Sequence, residues 1–196
     1  TLQDQSGLLN AHRFHRQYLG RLLTSNGLTV SESMAVIDSL LDWQDLDSIR
    51  RSNGFEASAG RLGFRNGPAP DITDFWHLNV MSPDVMKLLE DNVTTSQGGY
   101  FNPTNAPDEL IYALTDMGVA NEIIRLRNNG LLTGDKFGKL TGIRESEKLL
   151  FFLSNFIVLD LRSSVGESSV KKQLKLRLAP HAGRGESPLN ILASRG

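Results

Sequence analysis

Phe156-Ile157-Val158-Leu159-Asp160-Leu161-Arg162 and Val170-Lys171-Lys172-Gln173-Leu174-Lys175-Leu176-Arg177-Leu178 decide the fold. The first run is rich in β-formers. The second alternates, with Leu174, Leu176 and Leu178 on one side and Gln173, Lys175 and Arg177 on the other. Ser163 to Ser169 reads as the connection of a hairpin, and Pro180 closes the second strand. The residues from 181 to 196 carry Gly and Arg and read as a flexible tail.

Everything before Ser154 has a different texture. Phe14, Tyr18, Leu19, Leu22 and Leu23 recur in steps that make one helical face within 12–25, and Gly27 stops that helix. Ser31 reads as the N-cap of a second helix that buries Val36, Ile37, Leu40, Leu41 and Trp43. Asp71 or Thr73 opens a short helix reaching Asn79, and Ser82-Pro83-Asp84 opens another, with proline at its first position. Pro107-Asp108-Glu109 starts a helix with Ile111, Leu114 and Met117 on its apolar face. Gly118-Val119-Ala120 turns into one with Ile123, Ile124 and Leu126 inside, and Lys136 to Leu140 is a last short helix ending at Gly142. Many short helices followed by a small antiparallel sheet make an α+β chain.

The chain has 196 residues, enough for a substantial core, and 22% of them are charged, which excludes a disordered chain. It has no cysteine, so disulfides, thiolate catalysis and Cys-ligated zinc are excluded. The net charge of −1 hides an asymmetry. Residues 31–116 hold 14 acidic and 5 basic side chains, while 161–196 hold 2 acidic and 7 basic. Such ends suit polar contacts with partners. The longest apolar cluster, Leu149 to Leu153, is far too short to span a bilayer. The opening Thr1-Leu2-Gln3-Asp4-Gln5 reads as the interior of a longer chain whose targeting segment lies upstream.

No phosphate-binding loop, dinucleotide fingerprint or nucleophile elbow is present, and no catalytic residues emerge, so an enzyme is not expected. His12 and His15 are three apart and could share a helical face toward a metal, though surface histidines are far commoner. The strongest cluster is acidic. Asp45, Asp47 and Glu56 have the spacing of positions one, three and twelve of an EF-hand calcium loop. Ile49 stands where a further ligand belongs and Arg50 where the turn glycine belongs, so the alternatives are a different calcium loop or a solvated turn neutralised by Arg50 and Arg51. Met117 to Ile124, followed by Arg125 and Arg127, is similar to a helix-hairpin-helix element that offers backbone N–H groups to phosphate. Residues 117–160 carry 6 basic and 5 acidic side chains, too balanced for a DNA surface, so a structural hairpin is favoured over a nucleic-acid-binding module.

The order of these pieces resembles the type II secretion system protein K family of minor pseudopilins, also called general secretion pathway protein K. The resemblance is carried by Leu2 to Asn10, by Asp42-Trp43-Gln44-Asp45-Leu46-Asp47 with Gly54-Phe55-Glu56, by Phe101-Asn102-Pro103-Thr104-Asn105-Ala106-Pro107, and by Ser154-Asn155-Phe156 leading into strands. It covers nearly the whole chain, to about Pro180. It implies a pilin-like body with a large insertion of SAM-like helical units. The expected division is 1–20 as entry to the body, 21–97 as the first helical region with its acidic loop at 42–56, 98–150 as the second, 151–180 as the pilin-like hairpin and 181–196 as the tail. It further implies a non-enzymatic subunit at the tip of a pseudopilus, partnered by minor pseudopilins I and J. The location implied is the periplasm of a Gram-negative cell, with an N-terminal helix anchored in the inner membrane. Calcium on Asp45, Asp47 and Glu56 follows from the same resemblance, and the isolated chain is expected to be a monomer.

Overall fold

The computed structural model describes residues 1–55, 65–96 and 99–196. The chain enters through β1 (Leu2–Asp4), a 3-10 turn at Gln5–Gly7 and β2 (Leu9–Asn10). A helical body follows: α1 (Arg16–Ser25), α2 (Val30–Gln44), a 3-10 turn at Ile72–His77, and α3 (Pro83–Asn92) running into β3 (Val93–Thr94). After a 3-10 turn at Pro103–Asn105 come α4 (Asp108–Leu114), α5 (Met117–Asn128) and α6 (Gly134–Thr141). The chain ends in β4 (Phe156–Val165), β5 (Ser168–Leu178) and β6 (Leu189–Arg195). Among the described residues no helix is long and apolar enough to cross a membrane.

Local signals explain most helix starts. Ser82 accepts from the Val85 N–H at 3.2 Å, and Pro83 fills the first position of α3. The cap of α2 is Thr29, not Ser31: its hydroxyl accepts from the Glu32 N–H at 3.2 Å while the Glu32 carboxylate accepts from the Thr29 N–H at 2.7 Å. Those reciprocal bonds need acceptor and acid three residues apart, a spacing Thr29 has and Ser31 lacks. α5 begins at Met117 with Asp116 as its cap, so Gly118 and Ala120 lie inside the helix and the turn is Thr115-Asp116.

The helical regions share one core. Leu22, Leu40 and Met86 from the first and Leu110, Ile123 and Phe137 from the second are all buried in a single cluster. The helical periodicity of these positions is what lets each short helix bury one stripe against its neighbours.

The sheet is antiparallel, in the order β1-β4-β5-β6. The hairpin β4–β5 runs from Phe156↔Arg177 to Val165↔Ser168. β1 pairs with the outer side of β4, Leu2 opposite Leu159, so the whole helical body is inserted between adjacent strands. Residues 181–196, expected as a flexible tail, contain the third long strand: Leu176 pairs with Ile191 and Leu178 with Leu189. A short parallel pair, Leu9↔Val93 and Asn10↔Thr94, ties the entry segment to the end of α3.

The seam between sheet and body is built on Asp4. Its buried carboxylate accepts from the Ser6 N–H at 2.8 Å, the Ser154 N–H at 2.9 Å, the Ser154 hydroxyl at 2.6 Å and the Asn105 amide at 3.2 Å. One side chain thus joins the entry strand, the segment before α4 and the start of β4.

Candidate functional site

Asp38, Asp42 and Asp45 recur at steps of four and three, which places them on one face of α2 and at its end. That face meets residues 50–54. Asp42 is fully buried and accepts from the Arg51 N–H at 3.2 Å and from its guanidinium. The same Arg51 Nη1 also donates to Asp45 Oδ2, so one guanidinium bridges two carboxylates. Hydrogen bonds to Asp45 and then Asp42 push the Arg51 pKa above its already high ordinary value. Asp38 is buried as well. Burial pushes its carboxyl up, but bonds from Asn53 and Arg16 outweigh this and hold its pKa below the ordinary value. Arg50 Nε closes the turn by donating to the Gly54 carbonyl at 2.8 Å.

Of the residues expected to hold calcium, Asp45 and Asp47 have local partners. Asp45 faces Arg51, and its second oxygen, Oδ1, is buried without a partner. Asp47 accepts from the Ile49 N–H at 2.7 Å in a local turn. Glu56 lies outside the described residues. Among the described residues no three His, Asp or Glu side chains are grouped to hold a metal ion. Sequence reading passed over Asp38 and the bridging role of Arg51. The helical spacing of the three acids was the available signal.

His12 and His15 do not form a pair. His12 Nδ1 is 2.6 Å from Gln44 Oε1 and its Nε2 is 3.3 Å from the Thr95 carbonyl. His15 packs on Tyr18, with ring centres 4.7 Å apart. At the start of α5 the Asp116 carboxylate accepts from the Val119 N–H at 3.0 Å, placing negative charge where a phosphate would have to sit. Arg125 pairs with Glu122 at 2.7 Å, and Arg127 is taken up by the Ala106 carbonyl and Asp108.

The sheet has two unlike faces. Val158, Asp160, Gln173, Lys175, Ala193 and Arg195 turn toward the helical body and line a cleft of about 490 Å³ with Asp71, Thr94 and Lys87. Lys175 donates to the Thr95 hydroxyl at 3.3 Å, and Arg195 reaches Asp71 and, at 3.2 Å, the Thr73 hydroxyl. Burial pushes the Lys175 pKa down and Arg195 adds to this, with Asp71 opposing. The acidic group met by this basic face is therefore the chain's own Asp71, while Arg177 stays exposed. The register places Leu159, Leu161, Val170, Leu174, Leu176 and Ile191 together on the other face. Leu161, Val170 and Ile191 there are 45%, 68% and 61% exposed, while Leu176 is buried and Lys172 and Ser194 share the face, so the face carries separate exposed apolar side chains among polar ones.

Comparison with known proteins agrees with this architecture. Residues 1–97 match the family model described as type II secretion system (T2SS), protein K. The fold is similar to a chain in the crystal structure of the GspK-GspI-GspJ complex from the enterotoxigenic Escherichia coli type 2 secretion system. The TM-score is 0.67 at 15% identity, over 100% of this chain and 78% of that one. No curated protein matches the chain. Residues 1–97 thus belong by sequence to the type II secretion system protein K family of minor pseudopilins, and the fold of the whole chain agrees with that assignment.

Proposed function

We propose that this chain is the periplasmic head of a minor pseudopilin that acts without catalysis at the tip of a type II secretion pseudopilus. The observation that carries the reading is the architecture itself. A helical body sits between β1 and β4 of an antiparallel sheet whose outer face exposes Leu161, Val170 and Ile191. Such a face asks for a helix or a second pilin-like subunit. Its partners in this reading are the I and J type minor pseudopilins, the classes named in the complex that the fold resembles. An N-terminal helix would anchor the subunit in the inner membrane. Residues 21–97 and 98–150 act in this reading as two SAM-like units on a pilin-like hairpin at 151–180.

The reading of a subunit without catalysis rests on the sequence, in which no nucleophile, base and orienting group are linked by a recognisable motif. The test is co-purification of the chain with I and J type heads, followed by size-exclusion chromatography. The expected result is a monomeric chain alone and a heteromeric complex in the mixture. Separate elution of all three, at concentrations well above micromolar, would overturn the reading.

A further inference from the structure

We infer that the Arg51 guanidinium is the cation of the acidic turn, so that this chain closes residues 38–54 with its own tethered charge and not with a divalent metal. Three carboxylates on one helical face repel one another and need a positive partner. Two of them have it in a single atom, since Arg51 Nη1 donates to both Asp42 and Asp45. The third, Asp38, has Arg16.

Space around Asp42 is taken on the other side too. A Cβ at Gly54 would stand 2.0 Å from Asp42 Oδ2, so the backbone there lies directly on the carboxylate. Calcium requires six to eight oxygen ligands at about 2.3–2.6 Å. The buried side-chain oxygens of residues 38–54 left without a partner, Asp45 Oδ1 and Ser39 Oγ, fall far short of that number. The approach from solvent is also unfavourable for a cation. The shallow cleft beside the turn is lined by Arg16, Arg50 and Arg51 together with Asp38 and Asp47. A guanidinium differs from a bound ion in being present at every metal concentration and at every pH at which the protein folds. The inference stands whether or not the chain sits at a pseudopilus tip, because it concerns only residues within this turn.

The experiment is a thermal melt of the full chain in calcium against chelator, together with a cycle of Arg51→Gln, Asp45→Asn and the double variant. Wild type should melt at the same temperature with calcium and with chelator. Arg51→Gln should lower the melting temperature by roughly 5 °C or more, because it leaves two carboxylates uncompensated. Asp45→Asn should be destabilising in wild type but stabilising in the Arg51→Gln background, since there it removes an unbalanced charge. Arg51→Lys keeps the charge without the fork and should fall between wild type and Arg51→Gln. A calcium-dependent rise in the wild-type melting temperature would overturn the inference. So would an Asp45→Asn effect of the same sign and size in both backgrounds. The wild-type arm decides the metal question even where a variant fails to fold.

Discussion

Gly7 rests on the backbone of Asn105: a Cβ at position 7 would stand 2.2 Å from the Asn105 carbonyl oxygen. Backbone cannot swing aside as a side-chain tip can, so Gly7→Ala must push the entry turn away from the segment that precedes α4. The expected cost is about 1–3 kcal/mol, the usual range for overpacking. Urea unfolding of the variant checks it, and a midpoint equal to wild type would show that the contact is looser than this.

Asp4 holds the same seam by charge-assisted bonds. Asp4→Ala removes the acceptor for Ser6, Asn105 and Ser154 at once. Leaving those buried donors unpaired should cost about 3 kcal/mol or more. Ser154→Ala, which removes only one hydroxyl, should cost about 1 kcal/mol. Denaturant melts of the two variants side by side test the ratio.

The attachment of β6 to the body should be acid-sensitive. Burial pushes Asp71 up, but bonds from the Thr73 N–H and hydroxyl and the nearby Arg195 outweigh this, and its pKa lies below the ordinary value. A carboxyl depressed in the folded state stabilises above its unfolded pKa of about 3.9 and loses that contribution as pH falls through the folded value. Asp38 acts in the same direction. Melting temperatures measured from about pH 5 downward should therefore fall less steeply for Asp71→Asn than for wild type. Parallel curves would remove Asp71 from the account.

The exposed apolar side chains of the outer sheet face should matter to assembly and little to the fold. Val170→Glu with Ile191→Glu changes two residues that are 68% and 61% exposed, so the isolated chain should stay within about 1 kcal/mol of wild type. The same pair should abolish or sharply weaken complex formation with pilin-like partners. Arg177→Glu lies on the opposite face and serves as the control. Complexes of equal affinity from both variants would leave Val170 and Ile191 without a role in assembly.

What could be read from sequence was what is local. Ser82-Pro83 announces α3, and the alternation from Val170 to Leu178 announces β5, because caps and pleats act over a few residues. Pairings set by distant residues left no such trace. Leu2-Gln3-Asp4 is too short to read as a strand until Leu159, Val158 and Ile157 lie beside it. Leu189 to Arg195, preceded by Gly and Pro, passed for a tail until β5 offered an edge. The acidic turn was half legible. Its composition drew attention, but only the folded arrangement shows that Arg51 sits between Asp42 and Asp45.

The position of β1 also fixes an order of events. Gln3 lies opposite Val158 and Asp4 opposite Ile157, so the pairing joins positions more than 150 residues apart in the chain. During synthesis the first strand must wait, unpaired, until its neighbour has been made. The helical body closes through contacts nearer in sequence and can form first, drawing the two ends of the sheet together as it does. In refolding, helical signal should therefore return before the amides of Gln3 and Asp4 become protected from hydrogen exchange, and a body that folds poorly should strand the sheet in its least finished state.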